Sequence, residues 1–169
     1  MFKKGSNLTT CNYRPISLLS NLNKIFEEVM FSRVYNFLED SNTFYPLQFG
    51  FRKRHSTTHA LIDIIDNIND AFDKKKIACG IFVDFQKAFD TVNHEILLKK
   101  LFHLGIRDNT NEWFKSYLFE RKQYVSILGF KSNLNTLKHG VPQGSVLGPL
   151  LFLIYINGSL HKRQDAKIS

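Results

Sequence analysis

Hydrophobic residues recur at helical spacing in two long segments of the N-terminal half. Ser20 precedes the first segment as a candidate N-cap, and residues 41–43 end it. The second segment starts near Ser56 and carries acidic residues on its outer face. The pattern predicts two amphipathic helices. Their apolar positions are Ile25, Phe26, Val29, Met30, Val34, Phe37 and Leu38 in the first, and Leu61, Ile64, Ile65, Ile68 and Phe72 in the second.

The middle of the chain changes from helical periodicity to a short apolar run. Residues 77–83 are rich in β-forming side chains, which predicts a buried strand ending on Asp84. Helical patterns follow over residues 93–104, with Gly105 as the residue after the helix, and over residues 111–119.

The C-terminal part mixes strands, a loop and an apolar helix. Residues 124–128 and 134–138 read as strands of a hairpin that turns at Gly129. Residues 140–145 form a loop, and Pro149 suits the start of a helix that runs to Ile156. The whole pattern predicts an α+β fold.

Charge narrows the choice of partner. The 169 residues, enough for one domain, include 23 Lys and Arg against 15 Asp and Glu, a net charge of +8. This excess favours a polyanion, nucleic acid before an anionic membrane, although a solvated basic surface is the alternative. Residues 121–164 contain six Lys and Arg but no acid, so they form either a binding face or a solvated hairpin.

Cysteine usage and hydropathy indicate the compartment. Cys11 and Cys79 are far apart, which excludes a zinc ribbon and gives no disulfide framework. The longest apolar run, residues 146–156, is about half of the ~20 residues that a spanning helix needs. Nothing at the start resembles a signal peptide. These features predict a soluble, intracellular protein without a membrane partner, in either nucleus or cytoplasm.

Three clusters could carry chemistry. Asp84 ends an apolar strand, where a carboxylate either binds metal with further acids or starts a turn; Asp90 is near, but could instead cap the next helix. Residues 52–54 place three cations before a helix N-terminus, which suits a phosphate or a plain surface loop. Residues 140–149 hold three glycines and two prolines around Gln143, a backbone that a ligand can approach, or a structural loop.

Four segments together resemble one family. They are NYRPISLL at 12–19, QFGFR at 48–52, FVDFQKAFD at 82–90 and GVPQGS at 140–145. In this order they look like the motifs of non-LTR (LINE-type, jockey-like) retrotransposon reverse transcriptases, over roughly residues 12–157.

The resemblance implies a right-hand polymerase fold that copies RNA into DNA. Fingers would cover about residues 12–76, part of a palm with a small antiparallel sheet about 77–157, and a tail 158–169. Asp84 matches the first metal-binding, catalytic aspartate, with Mg²⁺ or Mn²⁺ as cofactor. An RNA template, a DNA primer and a dNTP would be the partners.

The same resemblance assigns the nucleotide contacts. Phe89 matches the bulky residue that blocks a ribose 2′-OH. Arg52 and Arg14 match residues that contact the incoming triphosphate, and Gln143 with Gly144 matches a loop that supports nucleotide and template.

The sequence departs from the family at one point. Residues 1–169 contain no Ala-Asp-Asp motif, which supplies the other metal ligands, and the thumb is also absent. Because one carboxylate does not hold two divalent ions, we expect this chain to be inactive alone. Two alternatives stay open: a non-catalytic nucleic-acid-binding remnant of such a polymerase, and an interaction domain with incidental charge.

Overall fold

The computed structural model describes residues 5–6, 9, 12–13, 15–127 and 129–161. This part of the chain is mostly helical and includes two small antiparallel β-ladders, which agrees with the predicted α+β class at that level. Its elements are α1 (Asn21–Asp40), α2 (Thr57–Asp73), a 3-10 turn (Ala88–Thr91), α3 (His94–His103), α4 (Asp108–Leu118), β1 (Lys122–Gln123), β2 (Ser126–Ile127), β3 (Phe130–Lys131), β4 (Asn135–Thr136) and α5 (Leu147–His161).

Side chains that cap the helix N-termini fix where three helices begin. In each, a side-chain oxygen accepts a backbone N–H three residues ahead, which satisfies a donor that the helix leaves unpaired. The predicted starts of α1 and α2 are confirmed, and Asn93 rather than Asp90 caps α3. The bonds are Asn23 N to Ser20 Oγ at 3.2 Å, His59 N to Ser56 Oγ at 3.4 Å and Ile96 N to Asn93 Oδ1 at 3.0 Å.

The core forms around α5, whose residues 147–156 are apolar on nearly all sides, and none of them is exposed. α1, α3 and the 3-10 turn pack against α5, and α4 packs against α3. α5 begins before the predicted Pro149, because Ser145 Oγ accepts Gly148 N at 2.9 Å. The buried apolar residues are Val34, Tyr35, Leu38, Phe44, Val92, Leu97, Leu101, Ile106, Phe114, Leu118, Val141, Leu147, Leu150, Leu151, Leu153 and Ile154. Within the described ranges, no helix is both long and apolar enough to cross a bilayer.

The chain turns back at Gly129 as predicted, but the predicted strands 124–128 and 134–138 do not pair with each other. β2 pairs with β3, with Ile127 opposite Phe130, and β1 pairs with β4 further from the turn. Gly129 lies at the turn with φ of +86°, a left-handed conformation that glycine adopts without strain. All four strands are exposed.

The predicted buried strand at residues 77–83 is wrong for this structure. The segment has no regular secondary structure and pairs with no described strand, and Ile77 and Phe82 are 96% and 86% exposed. A strand needs a neighbour to receive its backbone hydrogen bonds, and the described residues supply none here.

The apolar face of α2 is also uncovered. The helix is present as predicted, but none of its residues is buried and it packs against no other described element. In the first half of α1 the apolar side chains of Ile25 and Phe26 are likewise exposed, although Glu27, between them and Val34, is buried. Burial of α1 is confined to the positions that face α5 and its neighbours.

Candidate functional site

A loop and a turn that are far apart in sequence are hydrogen-bonded together. Gly140 N donates to Val92 O at 2.7 Å, and Val141 N donates to Phe89 O at 2.8 Å. The buried His94 donates from Nε2 to Gly140 O at 2.7 Å, since a carbonyl oxygen only accepts. The 140–146 loop is therefore held on the 3-10 turn that carries Phe89.

Gly140 makes this close approach possible. Its φ is +91°, and a Cβ there would lie 3.0 Å from both Cα and O of Asp90 and 3.1 Å from Phe89 O. These backbone atoms belong to a hydrogen-bonded turn, so they cannot move away without breaking its hydrogen bonds. Glycine is thus required at residue 140 for both conformation and space.

The Phe89 ring is partly buried and packs between two other rings. It meets Phe51 edge-on at 6.0 Å between centroids and Phe152 of α5 at 5.1 Å. Since Arg52 follows Phe51, the contact brings the predicted cationic segment next to the Phe89 turn.

A third predicted segment lies against the same loop. Ser17 N donates to Gln143 O at 2.9 Å, and a Cβ on Gly144 would lie 3.2 Å from Ile16 Cγ2. Gly144 has a φ of +96° and is exposed, whereas Gln143 is partly buried. Arg14, the second predicted triphosphate contact, lies outside the described residues.

The charge of Arg52 is already paired. Its Nε and Nη2 donate to Glu39 Oε1 and Oε2 at 2.9 and 2.8 Å, and the side chain is only 16% exposed. Hydrogen bonding from Arg52 lowers the pKa of Glu39 to about 2. Tyr35 Oη donates to the same carboxylate at 2.6 Å, and its own pKa is raised, mainly by burial.

Other cations lie over aromatic rings. Lys53 Nζ is 5.0 Å from the centre of the Tyr35 ring, and Lys131 Nζ is 5.1 Å from that of Tyr124 on the hairpin. Lys122 and Lys138 are exposed at the base of the same hairpin. The hairpin therefore presents positive charge to solvent, as the acid-free run predicts.

Sequence reasoning missed the carboxylate of Glu27. This side chain is 1% exposed and accepts from Tyr117 Oη at 2.8 Å, Val146 N at 2.7 Å and Leu147 N at 3.4 Å. Burial, and then the charge of Glu27, raises the pKa of Tyr117 to about 12. A signal was available, because Glu27 lies seven residues before Val34 and thus on the buried stripe of α1.

Asp84 is exposed on the irregular segment before the 3-10 turn. Across the part of the chain that the structure describes, no three His, Cys, Asp or Glu residues lie close enough to hold a metal ion. A complete Mg²⁺ site does not fit the residues present, since Mg²⁺ needs several oxygen ligands in octahedral geometry.

Residues 2–168 match the family described as reverse transcriptase (RNA-dependent DNA polymerase), and the chain belongs to this family. It is similar to the probable RNA-directed DNA polymerase from transposon BS of Drosophila melanogaster, 39% identical over 150 residues. It is also 39% identical over 144 residues to the polymerase from mobile element jockey of the same species. Each match covers 85% of this chain but only 16% of the relative. The predicted resemblance to non-LTR retrotransposon reverse transcriptases is confirmed.

Gly140→Ala should destabilise the chain far more than Gly129→Ala. Both residues have left-handed φ values, +91° and +86°, which cost a residue with a Cβ roughly 1–2 kcal/mol. Only at Gly140 does the Cβ meet backbone, while nothing lies within 4 Å at Gly129. We expect an additional loss of about 1–3 kcal/mol at Gly140 in urea unfolding. Equal losses for the two variants would contradict the close packing of loop and turn.

Glu39→Gln should destabilise the chain in a pH-dependent way. Because the folded-state pKa of Glu39, about 2, is below the ordinary 4.5, its stabilisation is present above pH 4.5 and is lost as pH falls toward 2. The difference in unfolding free energy between wild type and variant should therefore narrow over that range. Glu112→Gln, in an exposed pair with Lys115, is the control and should change stability little. If the difference in unfolding free energy between wild type and Glu39→Gln does not change with pH, the ion pair does not have the proposed role.

Proposed function

We propose that this chain provides the fingers, about residues 12–76, and part of the palm, about residues 77–157, of an RNA-directed DNA polymerase of a non-LTR retrotransposon. The observation that carries the proposal is the hydrogen-bonded contact of the 140–146 loop with the turn that bears Phe89. Family membership and the jockey-like relatives support it. The chain spans about 16% of those relatives, so the activity is proposed for a longer protein.

Phe89 selects deoxyribonucleotides in this proposal. A ring held between Phe51 and Phe152 has little freedom to move aside. A sugar placed over the loop with a 2′-OH would then overlap the ring or lose the hydration of its hydroxyl. Gln143 and Gly144 would support the base pair, because a side-chain amide both donates and accepts and a glycine lets the ligand reach the backbone.

Arg52 would contact the triphosphate, and Arg14 would add a second cation. Arg52 is paired with Glu39 in this structure, so a triphosphate would compete with that carboxylate for the guanidinium. Arg54, exposed two residues later, adds charge at the same place. Residues 52–54 are all cationic, so together they would attract a polyphosphate, whichever of the three side chains contacts it directly.

Asp84 is proposed as one ligand of a divalent ion, Mg²⁺ or Mn²⁺. The other carboxylates would come from a segment outside residues 1–169. Because the described residues do not complete a metal site, we expect the chain alone to be inactive.

An RNA template, a DNA primer and a dNTP are the proposed partners, at an intracellular site of action. The positively charged hairpin supports binding of nucleic acid, because its cations can neutralise phosphates. Such binding has an affinity that falls as the salt concentration rises. The same observation favours a second candidate, a non-catalytic nucleic-acid-binding remnant. The two candidates make different predictions for Asp84: a polymerase needs this residue for nucleotide incorporation by the longer protein, whereas a nucleic-acid-binding remnant does not need it.

Asp84→Asn should abolish primer extension by the polymerase that carries this chain. Replacing a metal-binding carboxylate by an amide should lower nucleotide incorporation by at least about 1000-fold, about 4 kcal/mol of barrier. Asp90→Asn is the matched control and should extend normally, because that exposed carboxylate lies outside the proposed site. Extension by Asp84→Asn at the rate of Asp90→Asn would remove Asp84 from the site.

Phe89→Ala should relax sugar selection. Removing the ring opens space for a 2′-OH, and we expect kcat/KM for rNTPs relative to dNTPs to rise by about 10–100-fold. Phe130→Ala, on the exposed hairpin, should leave the ratio unchanged. An unchanged ratio in both variants would mean that Phe89 does not select the sugar.

A further inference from the structure

The buried carboxylate of Glu27 has no part in the chemistry proposed above. It comes from α1, yet its three hydrogen-bond donors lie on α4 and at the start of α5, 90 to 120 residues later in the chain. A buried carboxylate is costly unless donors surround it, so its place among three donors defines a built contact.

Glu27 holds the N-terminus of α5. The first amides of a helix have no partner within the helix, and the helix dipole favours a negative charge there. Glu27 Oε2 accepts from Val146 N and Leu147 N, while Ser145 Oγ accepts from Gly148 N. Three successive amides are thus satisfied, two of them by a side chain from another helix.

This contact fixes one end of the 140–146 loop. The other end is fixed where Gly140 and Val141 bond to the Phe89 turn. Gln143 lies between the two anchors, and its backbone oxygen accepts from Ser17 N, just before α1. The position of Gln143 therefore depends on both anchors.

We propose that Glu27 is a positioning residue that sets the affinity for the incoming nucleotide by holding the 140–146 loop in register with Phe89. The inference rests on the proposed function and deepens it. Glu27 touches neither substrate nor metal. Its effect passes through the backbone of Val146 and Leu147 to Gln143.

The test compares variants in the full-length polymerase with a nucleotide-incorporation assay and with hydrogen exchange at residues 146 and 147. Glu27→Ala should raise the dNTP KM by about tenfold, with a smaller change in kcat, and should speed exchange of both amides. Glu27→Gln retains one oxygen for Val146 N and can donate to Tyr117 Oη, so its KM and exchange rates should fall between Ala and wild type. If Glu27→Ala fails to fold, Glu27→Gln alone tests the inference.

Two controls separate positioning from stability. Tyr117→Phe removes the bond to Glu27 and the side-chain interaction of Tyr117 with Ser145, but it keeps the bonds from Val146 N and Leu147 N to Glu27. The dNTP KM should therefore stay within about threefold of wild type. Asn111→Ala removes two bonds that join α4 to Leu98 O and Ile106 O, away from the loop. It should lower stability without changing the dNTP KM.

The outcomes distinguish this inference from the function on which it rests. A wild-type dNTP KM in both Glu27 variants, with stability lowered as in Asn111→Ala, makes Glu27 merely structural and overturns the inference alone. Unchanged exchange at residues 146 and 147 in Glu27→Ala overturns it as well. If the wild-type polymerase incorporates no nucleotide, the proposed function fails and the inference fails with it.

Discussion

The carboxylate of Glu27 connects the two helices around which the described structure is built. α1 supplies the carboxylate and α5 supplies the amides, so the acid-free C-terminal segment is joined to the N-terminal half by one buried charge. A second junction lies further along α5, where Asn157 Nδ2 donates to Thr43 O at 2.6 Å and Asn157 Oδ1 accepts from Tyr45 N at 3.2 Å. These two junctions fix the position of α5. The 140–146 loop, which precedes α5, therefore lies against Phe89 and close to the segment that contains Arg52.

The described residues divide into a packed part and an uncovered part. Around α5, they bury a continuous apolar core and leave no buried side-chain nitrogen or oxygen without a hydrogen bond. Elsewhere, α2 and residues 77–85 expose their hydrophobic side chains, and Asp84 lies in the second of these segments. Large exposed apolar surface of this kind marks a place where another segment or protein packs. The loop and turn proposed to hold the nucleotide are therefore packed together, while the segment around Asp84 is left uncovered by the described residues.

Features set by local interactions could be predicted from the sequence. Ser20, Ser56 and Asn93 begin their helices because a side-chain oxygen reaches an amide three residues ahead. Gly129 and Gly140 were recognisable because few other residues adopt their backbone conformations. Features that depend on distant partners could not be predicted. The run at residues 77–83 has the composition of a strand, but no described neighbour pairs with it, and the Glu39 partner of Arg52 follows no motif.

The most direct test of the account is to measure template–primer binding and single-nucleotide incorporation with residues 1–169 alone. The central claim is that this chain supplies the surfaces for nucleic acid and nucleotide but only one of the carboxylates needed for a divalent ion. The account predicts binding that weakens steeply as salt rises, with no incorporation at any Mg²⁺ concentration. Incorporation of a dNTP by this chain alone would contradict it.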